Sequence, residues 1–342
     1  MKYKIKKIRQ EDLKDIYSFY NELYNDKPFK IKSLELLRWL FSDPLRSDDF
    51  CGFVARDEAN KVVGIIGYAL NEYQYMQKKY TGVVPMSWLV SPSARGILGI
   101  QLLLKALKLG DFAFTIHGSK IALEVYHAVN LKYVTQGYAY TKVLNIIRYI
   151  KSDKKSFIKA GIRSLIYHGR IRSSPGIKGM KITEYRGEPS HSNVNWNSLS
   201  IVPTNERNQW ILGCPIVESF SFSVIHHNKT IGTCICYIHK DSNDIKRGRI
   251  VSIPNFGNDL IAYRFIISEL EKYLHARGCC VISVLALNGV FRIALRNQGY
   301  RTLKRISKVF VFLRDPEKIL KFIPISEWHL MHYEKDLGFQ GF

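Results

Sequence analysis

The sequence predicts an α/β (α+β) chain with two domains in tandem, each a mixed, mostly antiparallel twisted sheet flanked by helices. Three observations carry that expectation. Of the 342 residues, 46% are hydrophobic, which supports sizeable cores and, at this length, about two domains. Helical and strand periodicities alternate along the chain. The chain also repeats itself. Asn60-Lys61-Val62-Val63-Gly64 recurs as Asn228-Lys229-Thr230-Ile231-Gly232, an offset of 168. The corner Ala122, Tyr126, Asn130, Leu131 recurs as Phe291, Leu295, Gly299, Tyr300 at nearly the same offset. Two independent corners so placed mark a duplication. The expected units are residues 1–148, a connector over 149–180, and residues 181–342.

In order, Tyr3–Arg9 alternates like a strand, and Glu11–Tyr24 and Ser33–Phe41 carry helical spacing. Phe50–Arg56 and Lys61–Tyr68 form a hairpin around Asp57–Asn60. A strand over Tyr80–Val90 follows. Pro85 inside it removes a ladder donor, so a splay or bulge is expected there. Helix Ile97–Leu109, strand Asp111–Ile116, helix Ser119–Val129 and a final strand pair near Tyr133–Ile147 complete the first unit. The second unit contains a long amphipathic helix over Leu260–Leu274 and a closing helix that ends at Gly299-Tyr300. The aromatic-rich stretch Trp328–Phe342 is expected to be a packed terminus, with closure over a pocket as the alternative.

The connector has its own character. Arg148, Lys151, Lys154, Lys155, Lys159, Arg163, Arg170, Arg172 and Lys178 face one acid, Asp153, while Phe157, Ile158, Ile162, Leu165 and Ile166 fall on one helical stripe. Such a helix either docks its stripe on a flanking domain, the favoured expectation, or lies on an anionic membrane surface through residues 154–168. Ser173-Ser174-Pro175-Gly176 forms a flexible exit.

The net charge of +22 points to anionic partners without choosing among CoA phosphates, a nucleotide-linked substrate, tRNA or a membrane. No apolar run approaches a membrane span, and the N-terminus lacks a signal peptide's apolar core. Cys51, Cys214, Cys234, Cys236, Cys279 and Cys280 show no zinc-ligand spacing and fit buried small hydrophobes in a reducing cytoplasm. No metal is expected.

Val83 to Leu107 carries the chemistry. A strand ends at Leu89-Val90, a Ser-Pro-Ser turn follows, and Ser93, Ala94, Arg95 and Gly96 lead into an apolar helix whose first turn holds Leu98 and Gly99. Small residues before a helix N-terminus leave several amide N–H groups pointing one way, a cradle for phosphate. The run resembles the acyl-CoA-binding motif of the GNAT superfamily of N-acyltransferases. Leu98 stands where that family has its first glycine, and Gly99 lies near the second. The resemblance implies that the fourth and fifth strands part and that the pantetheine arm of acetyl-CoA or another acyl-CoA lies between them.

It also implies a role for Tyr126, which stands where many such enzymes carry the tyrosine that protonates the CoA thiolate; a core aromatic is the alternative. The family's glutamate on the fourth strand is missing, with Met86, Ser87 and Trp88 in its place. His117, past the fifth strand, is then the best base because its pKa lies near neutrality, with Glu124 and His127 as runners-up. In the second copy the loop maps to Asn258–Arg264, without glycine, and Tyr126 maps to Leu295. The first copy is therefore the expected catalyst and the second a degenerate partner.

The expected function is acyl-CoA-dependent N-acylation of an amino sugar or related small amine, since the chain looks closest to tandem GNAT proteins of bacterial surface-polysaccharide pathways. Trp210 or Trp328 are candidates to stack on a sugar, with a place in the core as the alternative for both. Two rivals stay open: a Fem-type aminoacyl-tRNA-dependent transferase, and a non-catalytic acyl-CoA-binding protein.

Overall fold

A computed structural model describes residues 3–24, 33–43, 46–116, 120–152, 161–162, 165–166, 168–173, 176–185, 199–202, 204–241, 244–313 and 328–329. Strand β1 (Lys4–Lys7) leads through a tight turn into helix α1 (Leu13–Leu23). Helix α2 (Leu34–Phe41) begins at Ser33, whose Oγ accepts the Leu36 N–H at 3.0 Å. A small hairpin, β2 (Ser42–Asp43) and β3 (Arg46–Phe50), precedes the meander β4 (Gly52–Arg56), β5 (Val62–Tyr75) and β6 (Lys78–Val90). Helix α3 (Ile97–Leu107), strand β7 (Phe112–Ile116), helix α4 (Lys120–Ala128), strand β8 (Lys132–Val143) and helix α5 (Ile146–Ser152) follow.

The second half runs β9 (Met180–Glu184), β10 (Leu199–Ile201), α6 (Asn205–Leu212), β11 (Glu218–His226), β12 (Lys229–Lys240) and β13 (Lys246–Ser252). It continues with α7 (Leu260–Ala276), β14 (Val281–Ala286), α8 (Gly289–Asn297), β15 (Arg301–Leu313) and β16 (Trp328–His329). Each half is a mixed, mostly antiparallel sheet flanked by helices, as the periodicities predict. In both, a helix crosses from the third meander strand to a parallel neighbour, β6 to β7 and β13 to β14.

The halves do not hold separate sheets. Among the described residues the main sheet has 14 strands, with the path β1-β4-β5-β6-β7-β15-β8-β14-β13-β12-β11-β9. The closing strands are exchanged: β15 lies between β7 and β8, and β8 pairs with β14. This corrects the strand pair expected near Tyr133–Ile147. Residues 132–143 form one strand whose partners come from the other half. The Asn145 side chain then accepts the Arg148 N–H at 2.9 Å and turns the chain into α5.

The repeated corners have a conformational cause. Asn60 and Asn228 sit at φ of 63° and 62°, and Asn130 and Gly299 at 62° and 88°, a region that Asn and Gly enter at least cost. A further pair joins the halves. Trp39 and Trp210, 171 residues apart, stack at 4.5 Å, and each indole N–H donates to the other's carbonyl, at 2.6 and 2.9 Å. Trp210 is thereby committed to an internal contact, which corrects its expected role as a sugar platform.

Burial orders the sheet faces. Leu98, Leu102, Leu103, Ala106 and Leu107 of α3 pack on β4, β5 and β6, the spacing of one helical face. Lys142 of β8 is fully buried. Its Nζ donates to Glu271 of α7 at 2.8 Å and to the Gln298 carbonyl at 2.6 Å, tying the first half's last strand to the second half's helices. The six cysteines are buried; burial pushes the Cys214 and Cys279 thiols up to about 12.

Residues 153–160, 163–164, 167 and 174–175 of the connector lie outside the described residues, and with them much of the apolar stripe and the middle of the expected exit. Of the rest, Ile162, Leu165 and Ile166 are 55%, 71% and 56% exposed. The docking expected of the stripe is not made by these three. The chain is fastened just beyond, where Gly169 N–H donates to the Val143 carbonyl at 3.1 Å and Arg172 Nη1 to that of Asn297 at 2.7 Å. Residues 330–342 and the Trp328 side chain also fall outside the description. No helix among the described residues is long and apolar enough to cross a membrane.

Candidate functional site

The site begins as an opening in the sheet. β6 and β7 pair at two positions, Gly82 with Phe112 and Val83 with Ala113, and then part. Pro85, which has no N–H to offer a neighbour, lies just past this point and keeps its register with Tyr68 of β5. The irregularity lies further on, where Gly67 faces Met86 and Ile65 faces Leu89, leaving Ser87 and Trp88 opposite a single residue. Ser87 is at φ 49°. In the second half, β13 and β14 keep register over four positions, from Arg247–Val281 to Ile250–Val284, so the equivalent strands stay together further.

At the far end of β6, the half-buried Leu89 and Val90 lead into Ser91 and a single turn over Pro92–Ala94. Ser93 is exposed with its Oγ 3.0 Å from that of Ser91, Ala94 is buried, and Arg95 is exposed. Gly96 forms the N-cap of α3 at φ 100°. No side chain among the described residues caps the helix, and a Cβ on Gly96 would meet none of their atoms within 4 Å. The first-turn N–H groups therefore stand open at the positive end of the helix.

Two expected cradle residues serve packing as well. Leu98 is buried in the core under α3. Gly99 is buried as well, and a Cβ there would come within 3.3 Å of the Trp88 ring. Its small size lets the helix close over Trp88; the open residue is Gly96.

The second half shows why its equivalent helix makes no such cradle. The Asp259 carboxylate accepts the Ile261 and Ala262 N–H groups at 3.0 and 2.9 Å. The helix end already holds an anion of its own. An Asp before an apolar helix is a legible cap signal, and it lay within the stretch noted only for its missing glycine.

Tyr126 points inward from α4. It is buried, its ring stacks on Trp88 at 6.2 Å and 22°, and its Oη accepts from Thr115 Oγ1 of β7 at 3.2 Å. The contacts Trp88–Tyr126–Thr115 thus bridge β6 and β7 where the strands have parted. Glu124 and His127 are exposed on the other side of α4. His117 lies outside the described residues. Sequence reasoning missed Thr115 and the closing ring of Trp88, for which only the alternation of β7 and the bulge offered a signal. No group of three His, Cys, Asp or Glu among the described residues could hold a metal ion.

This arrangement can be set beside known structures. Saccharomyces cerevisiae N-myristoyltransferase with bound myristoyl-CoA matches at a TM-score of 0.58 and 13% identity, over 91% of this chain and 82% of that one. A GCN5-related N-acetyltransferase from Anabaena variabilis matches at 0.56 and 10%, over 92% and 73%. A putative acetyltransferase from Pyrococcus horikoshii matches at 0.52 and 10%, over 96% and 93%. The chain has the GNAT fold. No protein-family model matches it, and no curated protein matches it. Within the GNAT fold, the parted strands and the open helix N-terminus of the first half belong to one continuous stretch of chain, residues 82–116.

Proposed function

We propose that the chain is an acyl-CoA-dependent N-acyltransferase, acetyl by preference, that acts on an amino sugar or related small amine in surface-polysaccharide biosynthesis in the cytoplasm. The observation that carries this reading is the uncapped, glycine-opened N-terminus of α3 beside the gap between β6 and β7. The first suits a diphosphate and the second an extended arm with amide groups. Residues Ser93, Ala94, Arg95 and Gly96 would hold the phosphates, and Leu89 and Val90 would line the arm. The co-substrate supplies an activated thioester carbonyl. The acceptor nitrogen attacks the carbonyl carbon, a C–N bond forms, the C–S bond breaks and the nitrogen gives up a proton. Tyr126 protonates the departing thiolate, and His117 is the base.

In this reading residues 1–148 and 181–342 are the two copies of a tandem duplication, 149–180 is the connector, and the second copy shapes the acceptor site. The matching element order, the left-handed corners and the reciprocal tryptophans support the duplication. A surplus of 51 Lys and Arg over 29 Asp and Glu favours an acceptor that carries phosphate, such as a sugar nucleotide or a diphosphate-linked lipid sugar.

Calorimetry is expected to give one acyl-CoA per chain. Gly96→Asp, which sets a carboxylate at the N-cap of α3, should weaken binding at least tenfold, about 1.4 kcal/mol, and by more than Gly96→Ala, which shares the backbone strain of φ 100° without the charge. CoA release from acetyl-CoA should require an amino-sugar nucleotide or lipid-linked amino sugar, with free amino acids poor. Two CoA per chain, or unchanged affinity in Gly96→Asp, overturns the reading. Turnover that needs charged tRNA and consumes no thioester establishes the Fem-type alternative, and binding without turnover the non-catalytic one.

A peripheral contact with an anionic membrane through residues 154–168 is also proposed, favoured by the exposure of Ile162, Leu165 and Ile166 within a basic segment. The protein should sediment with anionic vesicles at low salt and be released as salt rises. Changing Lys154, Lys155, Lys159 and Arg163 together to Ser should abolish sedimentation; none at low salt removes the proposal.

A further inference from the structure

Residues 144–168 leave the main sheet and return to it at one place. The Leu144 and Asn145 N–H groups donate to the Cys280 carbonyl at 2.8 and 3.3 Å, and the Gly169 N–H donates to the Val143 carbonyl at 3.1 Å, with His168 bridged to Val143. Within this excursion the returning arm lies against α5, since a Cβ on Gly161 would stand 4.0 Å from Ile150 Cδ1. Ile147 of α5 is 69% exposed, and with Ile162, Leu165 and Ile166 it makes four of the ten large apolar side chains exposed among the described residues. Such groups need no explanation when scattered singly, but their concentration marks a contact surface. The same segment carries Arg148, Lys151, Lys154, Lys155, Lys159 and Arg163 against one acid, Asp153. Exposed apolar side chains within a basic segment suit an anionic bilayer, which offers both an apolar interior and a charged face.

The strand directions say which end of the sheet carries this excursion. β6 and β7 are parallel, and β15 is antiparallel to both β7 and β8, so β8 runs in the direction of β7. Val309 of β15 is level with Ile116, where β7 ends, and with Thr135 of β8. β8 therefore carries on past the end of β7, from Thr135 to Val143, before the excursion begins. β6 and β7 part in that same direction, beyond Val83 and Ala113. The gap and the excursion open on one end of the sheet. We propose that the acceptor is taken from the bilayer: its amine belongs to a sugar joined through a diphosphate to a membrane lipid, not to a soluble sugar nucleotide. The inference rests on the acyl-CoA reading and the membrane contact above, and selects between the two acceptor classes they leave. The amine nitrogen bonds the acyl carbon, the carbon–sulfur bond breaks, and the proton the nitrogen gives up leaves on the CoA thiol. The lipid tail stays in the bilayer throughout.

The test compares two acceptors with the same amine. One is glucosamine joined through a diphosphate to a polyprenol, held in vesicles of phosphatidylcholine and phosphatidylglycerol; the other is uridine diphosphate glucosamine in solution. At equal acceptor concentration and low salt, wild-type protein is expected to release CoA from acetyl-CoA at least about tenfold faster with the vesicle-borne compound, because enzyme and acceptor are gathered on one surface. Raising the salt should remove that advantage as protein leaves the vesicles. Changing Ile147, Ile162, Leu165 and Ile166 together to Ser should remove it at low salt, with acetyl-CoA affinity unchanged. That unchanged affinity shows that the variant is folded. A wild type that turns over the soluble compound as fast, or a variant that keeps the advantage, overturns this inference and leaves the acyl-CoA reading standing. CoA release with neither acceptor overturns it too, and if acetyl-CoA also fails to bind the wild type, the acyl-CoA reading falls with it.

Discussion

Tyr126→Phe is expected to lower kcat by about 10²–10⁴, the usual contribution of a positioned general acid, with little change in acyl-CoA affinity. The argument is geometric. The Tyr126 hydroxyl meets Thr115 of β7 while its ring stacks on Trp88 of β6, so the phenol oxygen sits where the two strands have parted. Phenylalanine keeps the stack and removes only the group that would protonate the leaving thiolate. Steady-state kinetics with a thiol-detecting assay and a binding isotherm separate the two effects. A companion variant, His117→Ala, should flatten the acid limb of the pH–rate profile. Wild-type rates in Tyr126→Phe would return Tyr126 to the core, as an aromatic with a satisfied hydroxyl and no part in the chemistry.

The largest expected effect on stability lies far from that site, at Lys142. Replacing it with methionine should destabilise the protein by about 3–5 kcal/mol, the cost of leaving one member of a buried ion pair without its partner. Burial pushes Glu271 up to about 7 and pulls Lys142 below its ordinary value, against their mutual attraction. The sign follows for Glu271: raised above 4.5, its contribution to stability is full below pH 4.5 and is withdrawn as pH rises through about 7. In Lys142→Met the carboxyl loses its cation and titrates higher still, so the loss should be smaller at pH 5 than at pH 8. Lys142→Met with Glu271→Leu should recover most of it, because two apolar groups leave no orphaned charge. Denaturant unfolding at the two pH values reads both results. Equal loss at both, with no recovery in the double variant, would show that the pair contributes through packing alone.

The site was partly legible. Ser93, Arg95 and Gly96 could be read as a cradle because helix N-termini preceded by small residues expose their N–H groups whatever the rest of the fold does. The packing role of Gly99 was hidden for a tertiary reason: nothing local distinguishes a glycine left open to a ligand from one that lets a helix close over a tryptophan. Pro85 raised the expectation of a splay or bulge in β6. The pairing with β7 ends at Val83, just before Pro85, and the bulge against β5 lies just after it, at Ser87–Trp88.

The alternation of helices and strands, the apolar face of α3 and the left-handed corners at Asn60, Asn130, Asn228 and Gly299 were determined by the sequence alone. Each depends on side-chain period or on backbone conformation within a few residues. The tertiary structure alone decided that β8 and β15 exchange places, that Trp39 meets Trp210, that Lys142 is buried against Glu271, and that Trp88 lies beneath Gly99. These contacts join residues many positions apart, and a strand edge or an indole carries no local mark of the partner that will cover it. The exchange of closing strands is the clearest case. β8 has the same alternation whether it pairs within its own half or with the other, and only closing the whole sheet selects between them.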